Sequence, residues 1–233
     1  MRTLVIIPTY NERENIQKLV TALFALGHNL DVLVVDDGID GVDEIIKTMQ
    51  LSRENLFLAK RESKQGRGTA VRYGLRFGLA RGYDYFAEMD ADFSHDPQDL
   101  PRLLDKAAPD TVVVGSRYVP GSRMIGFPWH RLIFSKLSNF FVRAVLAMQF
   151  QDCTGGYRVY PRALVSRLDL AQIKTPGHGQ QSEIAYRLHE IGAKFLEIPI
   201  TFVNRRLGVS KFSVHEAREA LFAVLRIRFS RKL

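Results

Sequence analysis

Through the first half of the chain, short runs of aliphatic and β-branched residues alternate with stretches of helical period, and each run ends on polar or acidic residues. Alternation of this kind builds βαβ units, and it restricts the fold to the α/β class, with a mostly parallel, Rossmann-like central sheet flanked by helices. Residues 4–8, 31–37, 55–60, 85–90 and 111–115 read as five successive strands. After the first, Asn11 reads as an N-cap with Glu14 three residues on, and Ile16, Leu19, Val20 and Leu23 share one helical face that runs to about Gly27. Residues 69–81 give a second helix. Asp96-Pro97 opens a third, with proline at the first helical position and Asp96 capping the exposed amides.

Beyond Pro120 the alternation weakens. An apolar, basic segment covers 129–150, followed by a turn at Gly155-Gly156, a helix over 180–191 and a strand over 195–202. Ser213 and Glu216 form a capping box for a last amphipathic helix carrying Val214, Ala217, Leu221, Val224 and Leu225 on one side. With no linker, repeat or low-complexity tract, residues 1–233 read as a single domain.

Hydrophobic residues at 46% and charged residues at 25% exclude wholesale disorder. The formal charge of +8 favours anionic partners: nucleic acid, acidic lipid headgroups or phosphorylated small molecules. Cys153 is the only cysteine, so there is no internal disulfide, which fits a reducing, cytoplasmic setting. The first residues read as a strand and not as a signal peptide. The best apolar candidate for a membrane span, 139–150, falls short of the roughly 20 residues required and contains Arg143. Any membrane contact is therefore expected to be peripheral.

In open α/β sheets ligands gather beyond the carboxyl ends of the strands. Three polar strand ends stand out: residues 8–12, Asp36-Asp37 and Asp90-Ala91-Asp92, and one crevice can hold all three. If extended geometry continues past the strand, Asp90 and Asp92 project from one side and can share a cation. Magnesium or manganese suits such a pair, because these ions are held by one or two carboxylates together with phosphate oxygens. Asp36 and Asp37 either close a turn or accept hydrogen bonds from a nucleobase or ribose, and Tyr10 either packs internally or offers its face to a base.

Taken in order, several segments resemble glycosyltransferase family 2, of the GT-A fold, and within it the dolichyl- or polyprenyl-phosphate mannose synthases. They are Ile6-Ile7-Pro8-Thr9-Tyr10-Asn11-Glu12, Gly66-Arg67-Gly68-Thr69-Ala70, the run 89–95, Gly115-Ser116-Arg117-Tyr118, the run 152–158, Glu197-Ile198-Pro199 and the run 205–212. The resemblance implies a metal-dependent, inverting transfer from a nucleotide sugar, GDP-mannose ahead of UDP-glucose, onto a polyprenyl phosphate at the cytoplasmic face of a membrane. It implies that residues 1–120 bind the donor and 121–233 serve the acceptor. By position, Pro8, Tyr10, Glu12, Val35 and Asp37 surround the nucleoside, and Asp90, Ala91 and Asp92 form the metal and diphosphate site. Arg117, Arg205 and Lys211 meet donor phosphates or sugar. Arg131 and Ser135, one helical turn apart, hold the acceptor phosphate, or else lie on an ordinary amphipathic surface helix. Trp129, Phe134, Phe140 and Phe141 either enter a lipid interface or pack in the core, and a separate anchoring protein is a possible partner.

The chain departs from the family pattern in three places. The turn after the second strand, residues 36–42, is one residue short and lacks its hydroxyls; Ser94 stands where a glutamine metal ligand can occur; Asn204 replaces a frequent aspartate. Asp152, ahead of Thr154-Gly155-Gly156, is the candidate catalytic residue: a general base for a hydroxyl acceptor, or an orienting group if the acceptor is already a phosphate anion.

Other classes fit less well. A dinucleotide-binding dehydrogenase wants Gly-x-Gly-x-x-Gly where this chain has Pro8-Thr9-Tyr10-Asn11, and no P-loop sequence occurs; a sugar nucleotidyltransferase is the nearest enzymatic rival. A basic nucleic-acid-binding module would account for the charge, yet the strand-end carboxylates would repel a phosphate backbone, so no nucleic acid partner is expected.

Overall fold

Successive residues of a strand point to opposite sides of its sheet, and the first strand separates its side chains in this way. Leu4 and Ile6 enter one buried cluster, Val5 and Ile7 another. The computed structural model describes residues 1–175, 177, 179–204 and 214–229. In chain order these form β1 (Thr3–Thr9), α1 (Arg13–Phe24), β2 (Leu30–Asp36), α2 (Val42–Gln50), β3 (Leu56–Lys60), α3 (Arg67–Ala80) and β4 (Tyr85–Glu88). A 3₁₀ turn (Pro97–Asp99) runs into α4 (Leu100–Leu104), followed by β5 (Thr111–Ser116), β6 (Arg123–Ile125) and α5 (Trp129–Leu146). The remainder is β7 (Arg158–Pro161), α6 (Arg162–Val165), α7 (Gln180–Glu190), β8 (Lys194–Pro199), β9 (Thr201–Val203) and α8 (Val214–Phe229).

Seven strands form one sheet in the order β3-β2-β1-β4-β7-β5-β8. All pairings are parallel except those of β7, which runs antiparallel to both β4 and β5. The expected α/β class with a mostly parallel sheet is therefore what the chain adopts. α1, α2 and α4 cover one face through Ile16, Leu19, Val42, Ile46 and Leu100. The other face is covered from α3, α5 and α7 by Val71, Leu75, Val142, Leu146, Ile184 and Leu188.

Several elements differ from the sequence reading. Asn11 is not the N-cap of α1; Glu12 holds that position, and Asn11 takes a left-handed φ of 56° while its Oδ1 accepts from the Ile39 amide. Asparagine tolerates that conformation because its side chain bonds locally. The proposed cap at Asp96 is present, its Oδ1 accepting from the Gln98 amide at 2.9 Å. α2, β6 and β7 were not foreseen. The single strand expected over 195–202 divides at Ile200: β8 joins the main sheet, and β9 turns away to pair in parallel with β6. β9 also holds the residues after β4, since the Val203 amide donates to the Ser94 carbonyl and Phe202 bridges to His95. In the last helix Val224 is buried. Ser213 and the side chains of Val214, Glu216, Ala217 and Leu221 lie outside the described residues.

Candidate active site

Because β2, β1 and β4 are adjacent and parallel, their carboxyl ends open along one edge of the sheet. The sequence-predicted strand ends meet there, but their side chains do different things. Asp36 is fully buried; it accepts from Thr9 Oγ1 and the Gly38 amide at 2.9 Å each, and from Lys60 Nζ at 2.8 Å. Asp37 is turned into the protein. Arg61 donates to both of its oxygens, and the Gln65 and Gly66 amides donate to Oδ2 at 2.8 and 3.1 Å. Its carboxylate therefore ties β2 to the loop that precedes α3. Pro8 and Tyr10 are half-buried, and the Lys64 ammonium sits 4.6 Å over the Tyr10 ring. Glu12 is buried, with Oε2 accepting from Asn15 Nδ2. The Val35 side chain is fully buried beside Leu33 in the core, so it is the backbone of Val35 that lies near the strand end. Ala91 is likewise packed inward, in the opposite cluster.

The Asp90–Asp92 turn is braced from several sides. The Asp90 amide donates to His95 Nδ1 at 3.1 Å. His95 is buried, stacked on Tyr157 and tilted against Phe202, and burial lowers its pKa, so the ring is neutral with its proton on Nε2. Asp92 Oδ1 accepts from the Ser94 amide and from Ser94 Oγ at 3.0 and 2.6 Å. By its place in the 89–95 run Ser94 is a candidate third metal ligand beside Asp90 and Asp92. Its side chain is buried and donates to Asp92, so it holds that carboxylate in place. Among the described residues no group of three or more His, Cys, Asp or Glu converges as a metal-binding set. Two hard carboxylates at a partly open turn fit magnesium or manganese if phosphate oxygens and water complete the shell.

Two arginines lie beside this turn, and a third is buried behind the neighbouring 152–156 turn. Arg67, the first residue of α3, donates through Nη1 to Glu88 at 2.5 Å and through Nε and Nη2 to Asp90 Oδ1 at 2.9 and 2.7 Å. Although burial opposes its charge, Asp90 and Glu88 hold the guanidinium pKa above the ordinary arginine value. Arg117, just after β5, donates from Nε to Asp152 Oδ2 and from Nη2 to Asp152 Oδ1, both at 2.7 Å, and lies over the Tyr118 and Phe202 rings. The third, Arg158, is fully buried and donates to the main-chain carbonyls of Asp152, Cys153 and Gln181. It ties the 152–156 turn to the start of α7.

Asp152 is fully buried, and each oxygen accepts twice: Oδ1 from Arg117 Nη2 and the Gly155 amide, Oδ2 from Arg117 Nε and the Arg117 amide. Desolvation works against the carboxylate, yet Arg117 outweighs it and the pKa lies below the usual aspartate value. A general base needs an accessible lone pair and a pKa near the working pH. Asp152 offers neither here, which favours the orienting alternative, a positioning group for Arg117, over the base. Of the acceptor pair, Ser135 Oγ is 2.5 Å from Tyr118 Oη, which places it beside Arg117, whereas Arg131 is exposed one turn away. Arg205 and Lys211 lie outside the described residues.

Arg67, Glu88, His95, Asn139 and Arg158 all shape the site without having been assigned a role from sequence. Glu88 and Arg158 carried a usable signal, a charge set within an otherwise apolar strand run. Asn139 carried none: it lies within α5, and only the fold brings its amide within hydrogen-bond reach of Thr154.

Over residues 4–169 the chain matches the family model described as glycosyl transferase family 2. It is 42% identical over 226 residues to the polyprenol monophosphomannose synthase of Mycolicibacterium smegmatis, covering 96% of this chain and 85% of that protein. It is 40% identical over 227 residues to the undecaprenyl-phosphate mannosyltransferase of Micrococcus luteus, covering 97% and 93%. In three dimensions it is similar to glucosyl-3-phosphoglycerate synthase from Mycobacterium tuberculosis, solved with Mn2+, UDP and glucosyl-3-phosphoglycerate. That likeness has a TM-score of 0.67 at 15% identity and covers 100% of this chain and 81% of the neighbour. The matched family model spans the braced Asp90–Asp92 turn, Arg117 and Asp152 alike, and the chain belongs to glycosyltransferase family 2.

Proposed function

We propose that the chain is a single-domain polyprenyl-phosphate mannosyltransferase that takes mannose from GDP-mannose and inverts its anomeric carbon. The observation that carries this reading is the saturation of Asp152, which leaves a buried, fixed Arg117 beside the Asp90–Asp92 turn and removes the obvious base. A hydroxyl acceptor would need a base, whereas a phosphate monoester does not, because its second pKa of about 6 makes it a dianion at neutral pH. The 40–42% identity to enzymes named for polyprenyl phosphate and mannose supports the same acceptor and sugar.

In this mechanism Asp90 and Asp92 would hold a divalent ion, which would offset charge on the leaving diphosphate. Arg117 stabilises phosphate oxygens from a position fixed before the reaction begins, so no reorganisation is needed as charge develops. An acceptor phosphate oxygen forms the bond to the anomeric carbon while the bond to the diphosphate breaks. GDP departs with that electron pair, and no proton has to move. Tyr118 and Ser135 line the acceptor side of Arg117.

α5 supports delivery of the acceptor from a membrane. Trp129, Ile133, Leu137 and Phe140 are exposed along one stripe, opposite the buried Asn139, Val142 and Leu146, and Arg131 and Lys136 are exposed on the same helix. On α8, which packs against α5, Phe222 and Phe229 are exposed with Arg226 and Arg228. Among the described residues no helix is long and apolar enough to cross a membrane. Apolar side chains fringed by cations suit peripheral seating on an anionic cytoplasmic leaflet, and a membrane-anchoring protein is the other occupant such a face would accept.

The test is transfer from GDP-mannose or UDP-glucose to a short polyprenyl phosphate with Mn2+ or Mg2+. Mannosyl-phosphoryl-polyprenol is the expected product, and Asp92→Asn should lower its rate by about a hundredfold or more, the scale on which a transition-state charge contact acts. Turnover of UDP-glucose alone would reassign the donor, and turnover of neither would remove the enzymatic reading.

A further inference from the structure

Glu88 closes β4 and is fully buried. Tyr160 Oη donates to its Oε2 at 3.0 Å, and its other oxygen accepts from Arg67. A carboxylate there without a counterion would be an uncompensated buried charge, which strongly destabilises a fold. Arg67 is thus anchored from behind. It is also packed from the side, because a Cβ on Gly156 would come within 2.3 Å of Arg67 Nη2. Asp90, whose side chain is 33% exposed, is the open end of this chain of contacts and gives Oδ1 to two guanidinium donors.

A permanently charged group held in this way stays where it is when a ligand arrives. A divalent ion at Asp90 and Asp92 therefore meets one carboxylate already half-neutralised, with a fixed positive charge directly behind it. From this arrangement we infer that Arg67 makes cation binding conditional on the donor diphosphate, a regulation that rests on the donor-site reading given above. The Arg67–Glu88 pair presents its positive end to Asp90 and its negative end to Tyr160. The bare turn consequently attracts a cation weakly, and phosphate oxygens supply the missing negative charge. By reciprocity the cation strengthens diphosphate binding by the same factor.

The test measures Mn2+ affinity from the free-ion electron paramagnetic resonance signal, with and without saturating GDP and corrected for Mn2+ bound by GDP in solution. In the unmodified protein GDP should tighten Mn2+ binding by about tenfold or more. Arg67→Met combined with Glu88→Gln removes the buried pair while keeping its net charge at zero. This double variant should bind Mn2+ alone about fivefold more tightly, and its gain from GDP should shrink accordingly. Arg67→Lys keeps the charge and should behave as the unmodified protein does. A double variant that binds Mn2+ alone no better than the parent overturns the inference, as does an Arg67→Lys protein that matches the double variant. Should the double variant fail to unfold cooperatively, Arg67→Gln combined with Glu88→Gln, which keeps hydrogen-bonding groups in place of the buried pair, takes its place and is held to the same outcomes. If GDP does not bind the parent even with Mn2+, it is the donor-site reading that fails, and the role of Arg67 falls with it.

Discussion

Asp152 and Arg117 together show how a single residue's environment decides its role. Four donors meet two oxygens, and the low pKa that results is itself a stability contribution. The native carboxyl holds its proton more weakly than the unfolded one, whose value is near 3.8. Its stabilisation is therefore complete above that pH and is lost as pH falls through the lower native value. Asp152→Asn should cost about 3 kcal/mol or more at pH 7, the scale for breaking one side of a buried pair. Urea denaturation at several pH values should find that deficit constant from neutral pH down to weakly acidic conditions and narrowing below 3.8. A deficit that grows with acidity would contradict the assignment. Asp90 and Asp92 were legible as a pair because their spacing is local. The inward turn of Asp37 was not, because Arg61 reaches it only once β2 and β3 are aligned in register.

Among the elements, α3 sets the position of the site because Arg67 is its first residue. The helix lies close to the sheet through two glycines: a Cβ at Gly74 would fall 2.5 Å from Ile6, and one at Gly78 would fall 2.4 Å from Phe86. Helical propensity alone would favour alanine at either position, so close packing is what requires glycine. Gly78→Ala should destabilise the protein by about 1–3 kcal/mol, the usual cost of overpacking a core, and should lower the thermal midpoint; an unchanged or raised midpoint would refute the close approach. The five strands of the first half were readable from their apolar runs. β7 was not, because a short strand carrying Arg158 looks like the end of a loop until β4 and β5 pair with it on either side. Pro199 closes β8, and the turn there frees β9 to bring Phe202 onto His95 and Arg117.

At the scale of the whole molecule, the proposed seating on a lipid surface rests on the +8 charge and the exposed faces of α5 and α8 together. Co-sedimentation with vesicles containing anionic lipid should retain the protein at low salt. Ile133→Ser with Leu137→Ser should weaken that retention several-fold, by roughly the transfer energy of two aliphatic side chains. Equal binding to neutral and anionic vesicles, or no binding to either, would remove the lipid surface as the occupant of this face.

By itself the sequence determined the α/β class, the five strands of the first half and the strand-end position of Asp90 and Asp92, because these depend on periodicity and spacing within a few residues. It also carried the ordered motifs that resemble family 2. Only the tertiary structure decided which charges pair. Arg67 with Glu88 and Asp90, Arg117 with Asp152, and Arg61 with Asp37 are contacts between residues 21–35 positions apart. No local rule selects among many possible partners at such distances. The sheet does, by bringing a few of them together where water is excluded and an unpaired charge is costly.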